Sequence, residues 1–240
     1  VFERKVLYTN LPEPSFMGSR TAVMSLLTFA DKVEPSCWDR HEEVLAQMDL
    51  KGEYQRKNLR TVLAALEVLG YRSSKMLEAI KHTARRTGFR GRWEKISDDP
   101  YVICDIGHNE HGLRHNFSQL ERMLAEGECS DLIMVYGSVA DKDVDAVLHL
   151  MPADATYVFT QAHGKRALAA ENVRERYLAF CAEAGRKADK VHCCGTVVEA
   201  IEHAFGLAAS LKKTDANARP LIYIGGSTYV VSEAVAAMNA

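Results

Sequence analysis

From about residue 100 onward, short apolar runs of β type alternate with longer stretches of helical periodicity. The first run is Tyr101-Val102-Ile103-Cys104. Leu113, Phe117, Leu120 and Leu124 follow at spacings of three and four, which places one apolar face on a helix. Leu132-Ile133-Met134-Val135-Tyr136 is a second run, and Val144, Val147, Leu148 and Met151 mark the next helix. Tyr157-Val158-Phe159 precedes a helix over 169–184, and Lys190-Val191-His192-Cys193 precedes one over 196–211. Leu221-Ile222-Tyr223-Ile224 precedes the last, over 229–238. Runs that are apolar throughout read as strands buried on both faces. The alternation predicts an α/β fold: a mostly parallel, Rossmann-like sheet with helices on both faces and right-handed crossovers. Ligands of such sheets bind beyond the carboxyl ends of the strands, so the residues just after each strand are the candidates for function.

Residues 1–89 read differently. The first 50 show poor periodicity and turn signals such as Leu11-Pro12-Glu13-Pro14. A helix is predicted over 53–69, with Leu59, Val62, Leu63, Leu66 and Leu69 as its apolar stripe. Another is predicted over 73–85, capped by Ser73 or Ser74. The basic stretch from Arg85 to Arg92, with Gly88 and Gly91, reads as a linker. The boundary therefore falls near Phe89, between a helical segment over 1–89 and an α/β domain over 90–240.

Composition narrows the function. The 240 residues are 47% hydrophobic and 26% charged, with a formal net charge of −2. That balance offers no electrostatic case for nucleic acid or an anionic membrane. No apolar run approaches the roughly 18–20 residues of a membrane span. Val1-Phe2-Glu3-Arg4-Lys5 does not open a signal peptide, and a start at Val suggests an excised piece. The six cysteines form no CxxC pair and read as reduced thiols of a cytoplasmic protein.

The strand ends carry the chemistry. Asp105-Ile106-Gly107-His108-Asn109 follows the first strand and opens a helix. Its carboxylate suits ribose hydroxyls, a cation or an ammonium, and its helix N-terminus suits an anion. The same residues also make an ordinary polar turn with Asn109 as cap. Gly137-Ser138-Val139-Ala140-Asp141-Lys142-Asp143 follows the second strand, and Lys142 can neutralise phosphate or carboxylate or sit in a solvated cap. Gly225-Gly226-Ser227 follows the last strand, where paired glycines let the backbone approach a ligand. Neither GxGxxG there nor a GxxxxGK[ST] loop anywhere is present. His108, His111 and His115 share a helical face that could serve a metal-dependent hydrolase. His192-Cys193-Cys194 reads as a core position plus a bystander, because adjacent strand residues face opposite ways.

Five segments together resemble the folylpolyglutamate/dihydrofolate synthase branch of the Mur ligase superfamily. Leu50-Lys51-Gly52-Glu53-Tyr54-Gln55-Arg56-Lys57-Asn58 is similar to the family's "L-x-G-x-(Y/H)-Q-x-x-N", and Gly91-Arg92-Trp93-Glu94 to "GR-x-E". Asp105-Ile106-Gly107-His108-Asn109 resembles "D-(G/A)-A-H-N-P", with Gly107 for Ala and Glu110 for Pro. Asp141-Lys142-Asp143 is the fourth, and Gly226-Ser227-Thr228-Tyr229-Val230-Val231 resembles "G-S-L-Y-L-V", with Thr228 for Leu. Lys165-Arg166-Ala167 also matches an "R-A" before a helix.

The resemblance implies the fold of a Mur ligase C-terminal domain over 90–240, preceded over 1–89 by the tail of the central ATP-binding domain. It implies ATP-dependent amide formation between a folate or pteroate carboxylate and L-glutamate through an acyl phosphate. Carried over by motif, Asn58 contacts adenine, Arg92 a phosphate and Asp105 the ribose. His108 and Ser227 place the glutamate, and Lys142 meets an acidic group near the domain interface. No catalytic residue and no metal ligand is expected here. The phosphate loop, the Mg2+ ligands and a modified lysine belong to an N-terminal ATPase domain, against which this piece docks. The piece by itself is expected to be inactive, and the rival from another class is a stand-alone α/β module that binds a small anion or nucleotide.

Overall fold

The computed structural model describes residues 6–10, 25–33, 38–71 and 73–239. The chain divides into two compact units, Val1–Phe89 and Arg90–Ala240. Each has its own apolar core. The Leu11-Pro12-Glu13-Pro14 turn signal and Cys37 lie outside the described residues.

In the first unit, β1 (Val6–Asn10) pairs antiparallel with β2 (Ser25–Phe29), Val6 facing Phe29. The expectation of a helical segment over 1–89 is corrected at these two strands. Runs of five residues are too short to set a periodicity against the turn signals around them. Helices follow as α1 (His41–Gln47), α2 (Gln55–Val68), α3 (Ser74–Lys81) and α4 (Thr83–Thr87). Val44, Met48, Leu59, Leu63 and Leu77 close the core between them. Ser73 caps α3, its Oγ accepting from Lys75 N at 3.2 Å. The helix expected over 73–85 breaks at His82. Asp49, distant in sequence, accepts from Ala84 N at 3.0 Å and Arg85 N at 2.9 Å, and so supplies α4 with a cap of its own. Arg85 and Arg86 thus belong to a helix rather than a linker.

The second unit is a three-layer sandwich. Its sheet contains β3 (Glu94–Asp98), β4 (Tyr101–Asp105), β5 (Asp131–Tyr136), β6 (Thr156–Phe159), β7 (Val191–Cys193) and β8 (Pro220–Gly225). The spatial order is β3-β4-β8-β5-β6-β7, with β3 antiparallel to β4 and every other pairing parallel. On one face lie α5 (Glu110–Ala125), α6 (Asp145–Leu148) and α7 (Ala170–Ala184). On the other lie α8 (Val197–Thr214) and α9 (Thr228–Met238). Alternate residues of one strand divide between the two faces. On β8, Leu221 and Tyr223 pack toward α5 to α7, and Ile222 and Ile224 toward α8 and α9. This division explains why the parallel strands read as continuous apolar runs.

Two departures from the sequence reading are informative. Strand β3 escaped it because Ile96 is its one aliphatic residue, as suits an edge strand with a partly exposed, bulged register. Helix α6 is one turn rather than a stretch reaching Met151. Pro152 restricts the preceding residue, although Val144, Val147, Leu148 and Met151 are all buried as the spacing implies.

Candidate functional site

Because β4, β5, β6, β7 and β8 are parallel, their carboxyl ends share one rim. The β8 strand returns between β4 and β5, so the chain's order reverses there and the loops on either side leave a crevice. Strand β3 runs opposite to β4, Glu94 facing Cys104, so its amino end reaches the same rim. Topology therefore brings Arg92, Asp105, His108, Lys142 and Ser227 to one edge of the second unit. Asn58 belongs to the first unit, in the first turn of α2, where its Nδ2 donates to Gln55 Oε1 at 2.8 Å.

Asp105 ends β4 and is 1% exposed. Its Oδ2 accepts from Trp93 N at 2.8 Å, and its Oδ1 from Gly107 N at 2.7 Å and Asn116 Nδ2 at 2.8 Å. In this structure the carboxylate is engaged by the chain's own donors and does not open onto the crevice. It holds two loops together, and the backbone bond from Ile106 N to Gly91 O at 2.9 Å fastens them a second time. Arg92 sits between these two fastenings. Trp93 has φ 48°, the sole positive value outside glycine among the described residues. A non-glycine residue in this region is strained by about 1–3 kcal/mol, so the Asp105 contact keeps it there.

His108 is half-buried, and its Nδ1 lies 3.0 Å from Ile106 O. That carbonyl can only accept, so Nδ1 carries the hydrogen and Nε2 is left to meet a ligand. Asn109 caps α5, its Oδ1 accepting from Gly112 N at 2.8 Å. The free first-turn amides of this 16-residue helix follow directly after His108. His111 and His115 meet ring to ring at 5.2 Å. Among the described residues, no three His, Cys, Asp or Glu side chains are grouped to hold a metal. The hydrolase alternative has no donor set here.

Ser227 is 2% exposed and caps α9, its Oγ accepting from Tyr229 N at 3.2 Å. The neighbouring glycines serve close packing within the protein. A Cβ on Gly226 would lie 2.4 Å from Tyr136 Cε2 and 2.5 Å from Gly137 O, and one on Gly225 would strike the Tyr223 ring. Lys142 is exposed on the loop after β5. That loop is tied to the loop after β6 by a bridge between Val139 and Ala167 and by Ala140 N donating to Arg166 O at 2.9 Å. Arg166 reinforces the tie. It pairs with Asp141 at 2.9 Å, donates to Tyr229 Oη at 3.3 Å and stands 5.8 Å over the Tyr229 ring.

Sequence reasoning missed the buried polar residues behind this rim. Asn116, Ser138 and Thr160 are at most 3% exposed. Asn116 lies within an apolar helical stripe and Thr160 directly after an apolar strand, so neither stands out without the fold. A cavity of about 320 Å3 opens at the opposite edge, where β4 and β8 begin, beside Lys95, Tyr101 and Arg219. Lys95 there already pairs with Asp98 at 2.6 Å, and Lys212 with Asp99. Helix N-termini and glycine turns gather at the carboxyl rim, which is the stronger candidate.

Comparison with known proteins agrees with this architecture. The family described as Mur ligase, glutamate ligase domain, matches residues 91–215, just over half of the chain. A probable bifunctional folylpolyglutamate synthase/dihydropteroate synthase of Haloferax volcanii is 28% identical over 198 residues, covering 80% of this chain and 21% of that protein. The Mycobacterium tuberculosis folylpolyglutamate synthase complexed with ADP superposes with a TM-score of 0.64 at 24% identity, over 80% of this chain and 42% of the other. The same enzyme complexed with ADP and AMPPCP gives 0.61 at 26% identity, over 79% and 40%. The chain thus spans about two fifths or less of these relatives. It belongs to the Mur ligase family, through that family's glutamate ligase domain.

Proposed function

We propose that this chain is the amino-acid-binding side of an ATP-dependent ligase that joins L-glutamate in amide linkage to a folate or dihydropteroate carboxylate. The Haloferax and Mycobacterium relatives named above support that substrate class, and the ADP and AMPPCP complexes support a nucleotide. The observation that carries the reading is the fastened Arg92 turn beside the start of α5, which brings Arg92, His108 and a helix N-terminus to one rim. A guanidinium and a helix N-terminus suit phosphate and carboxylate oxygens, and an accepting imidazole nitrogen suits an ammonium.

Bound ATP supplies the phosphoryl group that activates the carboxylate. Arg92 then neutralises phosphate charge from a turn that cannot swing away. His108, with Nε2 as acceptor, orients the glutamate ammonium, and the Ser227 hydroxyl fixes the same substrate from the start of α9. Lys142 meets an acidic group at the interface with the ATPase domain, and Asn58 meets adenine. Asp105 enters this reading through the turn it holds. No Mg2+ donor set occurs among the described residues, and we assign those ligands to the ATPase domain on which this piece docks. No helix among the described residues is long and apolar enough to cross a membrane, and we assign the enzyme to the cytoplasm.

The test uses the protein encoded by the whole reading frame, assayed by mass spectrometry for ATP-dependent addition of glutamate to dihydropteroate and to reduced folates. Addition is expected from that protein and not from the 240 residues in isolation. Nucleotide binding without ligation by the complete protein would instead favour a binding module.

A further inference from the structure

A buried polar cluster joins Asp105, Asn116 and Tyr223 behind the rim. Asn116 is 1% exposed and lies on the α5 face that sends Leu113, Phe117 and Leu120 into the core. Its Nδ2 donates to Asp105 Oδ1 at 2.8 Å and to Tyr223 Oη at 2.9 Å. Its Oδ1 is enclosed and makes no hydrogen bond among the described residues. An unmet buried acceptor costs about 1–3 kcal/mol, and an aliphatic side chain would suit this helix face better. What sets Asn116 apart is the donor it aims at Asp105.

Gly107 is the counterpart of that donor. A Cβ at this position would lie 2.9 Å from Asp105 Oδ1 and 3.0 Å from Asn116 Nδ2. The alanine of the family pattern would therefore crowd the Asn116–Asp105 contact, and this chain has glycine instead. Through Asp105 the contact reaches both ligand-bearing loops, since the same carboxylate accepts from Trp93 N beside Arg92 and from Gly107 N beside His108.

We propose that Asn116 is a positioning residue: by orienting the Asp105 carboxylate it sets the turn that presents Arg92 and the loop that presents His108. The proposal rests on the ligase reading of the rim and adds to it a determinant that touches no substrate. Rotation of Asp105 releases Trp93 from its strained backbone and moves Arg92 with it. The loss falls on nucleotide affinity rather than on the fold.

The experiment compares Asn116→Leu and Asn116→Ala with the wild type in the complete protein. Both variants lack the donor, but they differ in packing, since leucine fills the site and alanine leaves a cavity. Both are expected to raise the KM for ATP about tenfold, the scale of one lost hydrogen bond to a charged group, with kcat changed much less. Hydrogen exchange of the Trp93 and Gly107 amides is expected to quicken in both, whatever their melting temperatures. Tyr223→Phe, which keeps the Asn116–Asp105 bond, is expected to stay near wild type in both readouts. A KM that follows melting temperature, or does not move, overturns the positioning role. An inactive wild type overturns the ligase reading and this inference together, whereas an active wild type with unaffected variants overturns this inference only.

Discussion

Gly226 shows at the scale of one residue how closely the rim is packed. Its φ of 90° and the 2.4 Å approach of Tyr136 Cε2 to any added Cβ leave no room for a side chain. Gly127 has φ 72° but nothing within 4 Å of its added Cβ. Gly127→Ala is therefore expected to cost about 1–2 kcal/mol of backbone strain. Gly226→Ala is expected to cost that plus about 1–3 kcal/mol of overpacking, and urea denaturation of the two variants measures the difference. The Gly225-Gly226 pair was visible in the sequence, but its purpose was not. Glycine reads as room for a ligand until the fold shows Tyr136, Gly137 and Tyr223 in that space. Asp105 is similar: its place at a strand end was legible, whereas the donors around it come from positions 93, 107 and 116 and meet only in three dimensions.

Among the elements, those with long apolar periodicity or continuous apolar runs were legible and the polar edges were not. Helix α8 was recognised because its spacing is regular. Its start is fixed by a capping box, Thr196 Oγ1 accepting from Glu199 N at 3.2 Å and Glu199 Oε2 from Thr196 N at 3.1 Å. Strand β3 has no such pattern and is defined by β4 beside it. The contact between β7 and α8 adds a pH dependence. His192 and His203 rings stand 4.5 Å apart, and burial, then the charge of His203, lowers the His192 pKa below 6.5. The folded state thus favours the neutral ring, and unfolding takes up a proton as pH falls below the ordinary value. Stability from this group is full above pH 6.5 and is lost as pH falls through the lowered folded value. The drop in unfolding free energy from pH 7 to pH 5 is expected to shrink in His192→Gln, measured by urea titration at both pH values.

For the molecule as a whole, the two units meet in sequence at Phe89 and Arg90, within the exposed, non-helical stretch over 88–90 that follows α4 and ends at Arg90. Exposed, irregular backbone is where proteases act first. Brief trypsin treatment is expected to leave a resistant fragment beginning near Gly91, identified by mass spectrometry; early cleavage inside 91–239 would contradict this division. The sequence by itself determined the layered α/β class, the alternation of strands and helices from β4 onward, and the family, because these depend on which residues are apolar and on how motifs are spaced along the chain. Only the tertiary structure decided which strand lies beside which, that β8 enters between β4 and β5, and that Asn116 and Trp93 meet at Asp105. Those contacts join residues distant in sequence, and their energies come from burial and hydrogen-bond geometry, which local periodicity does not encode.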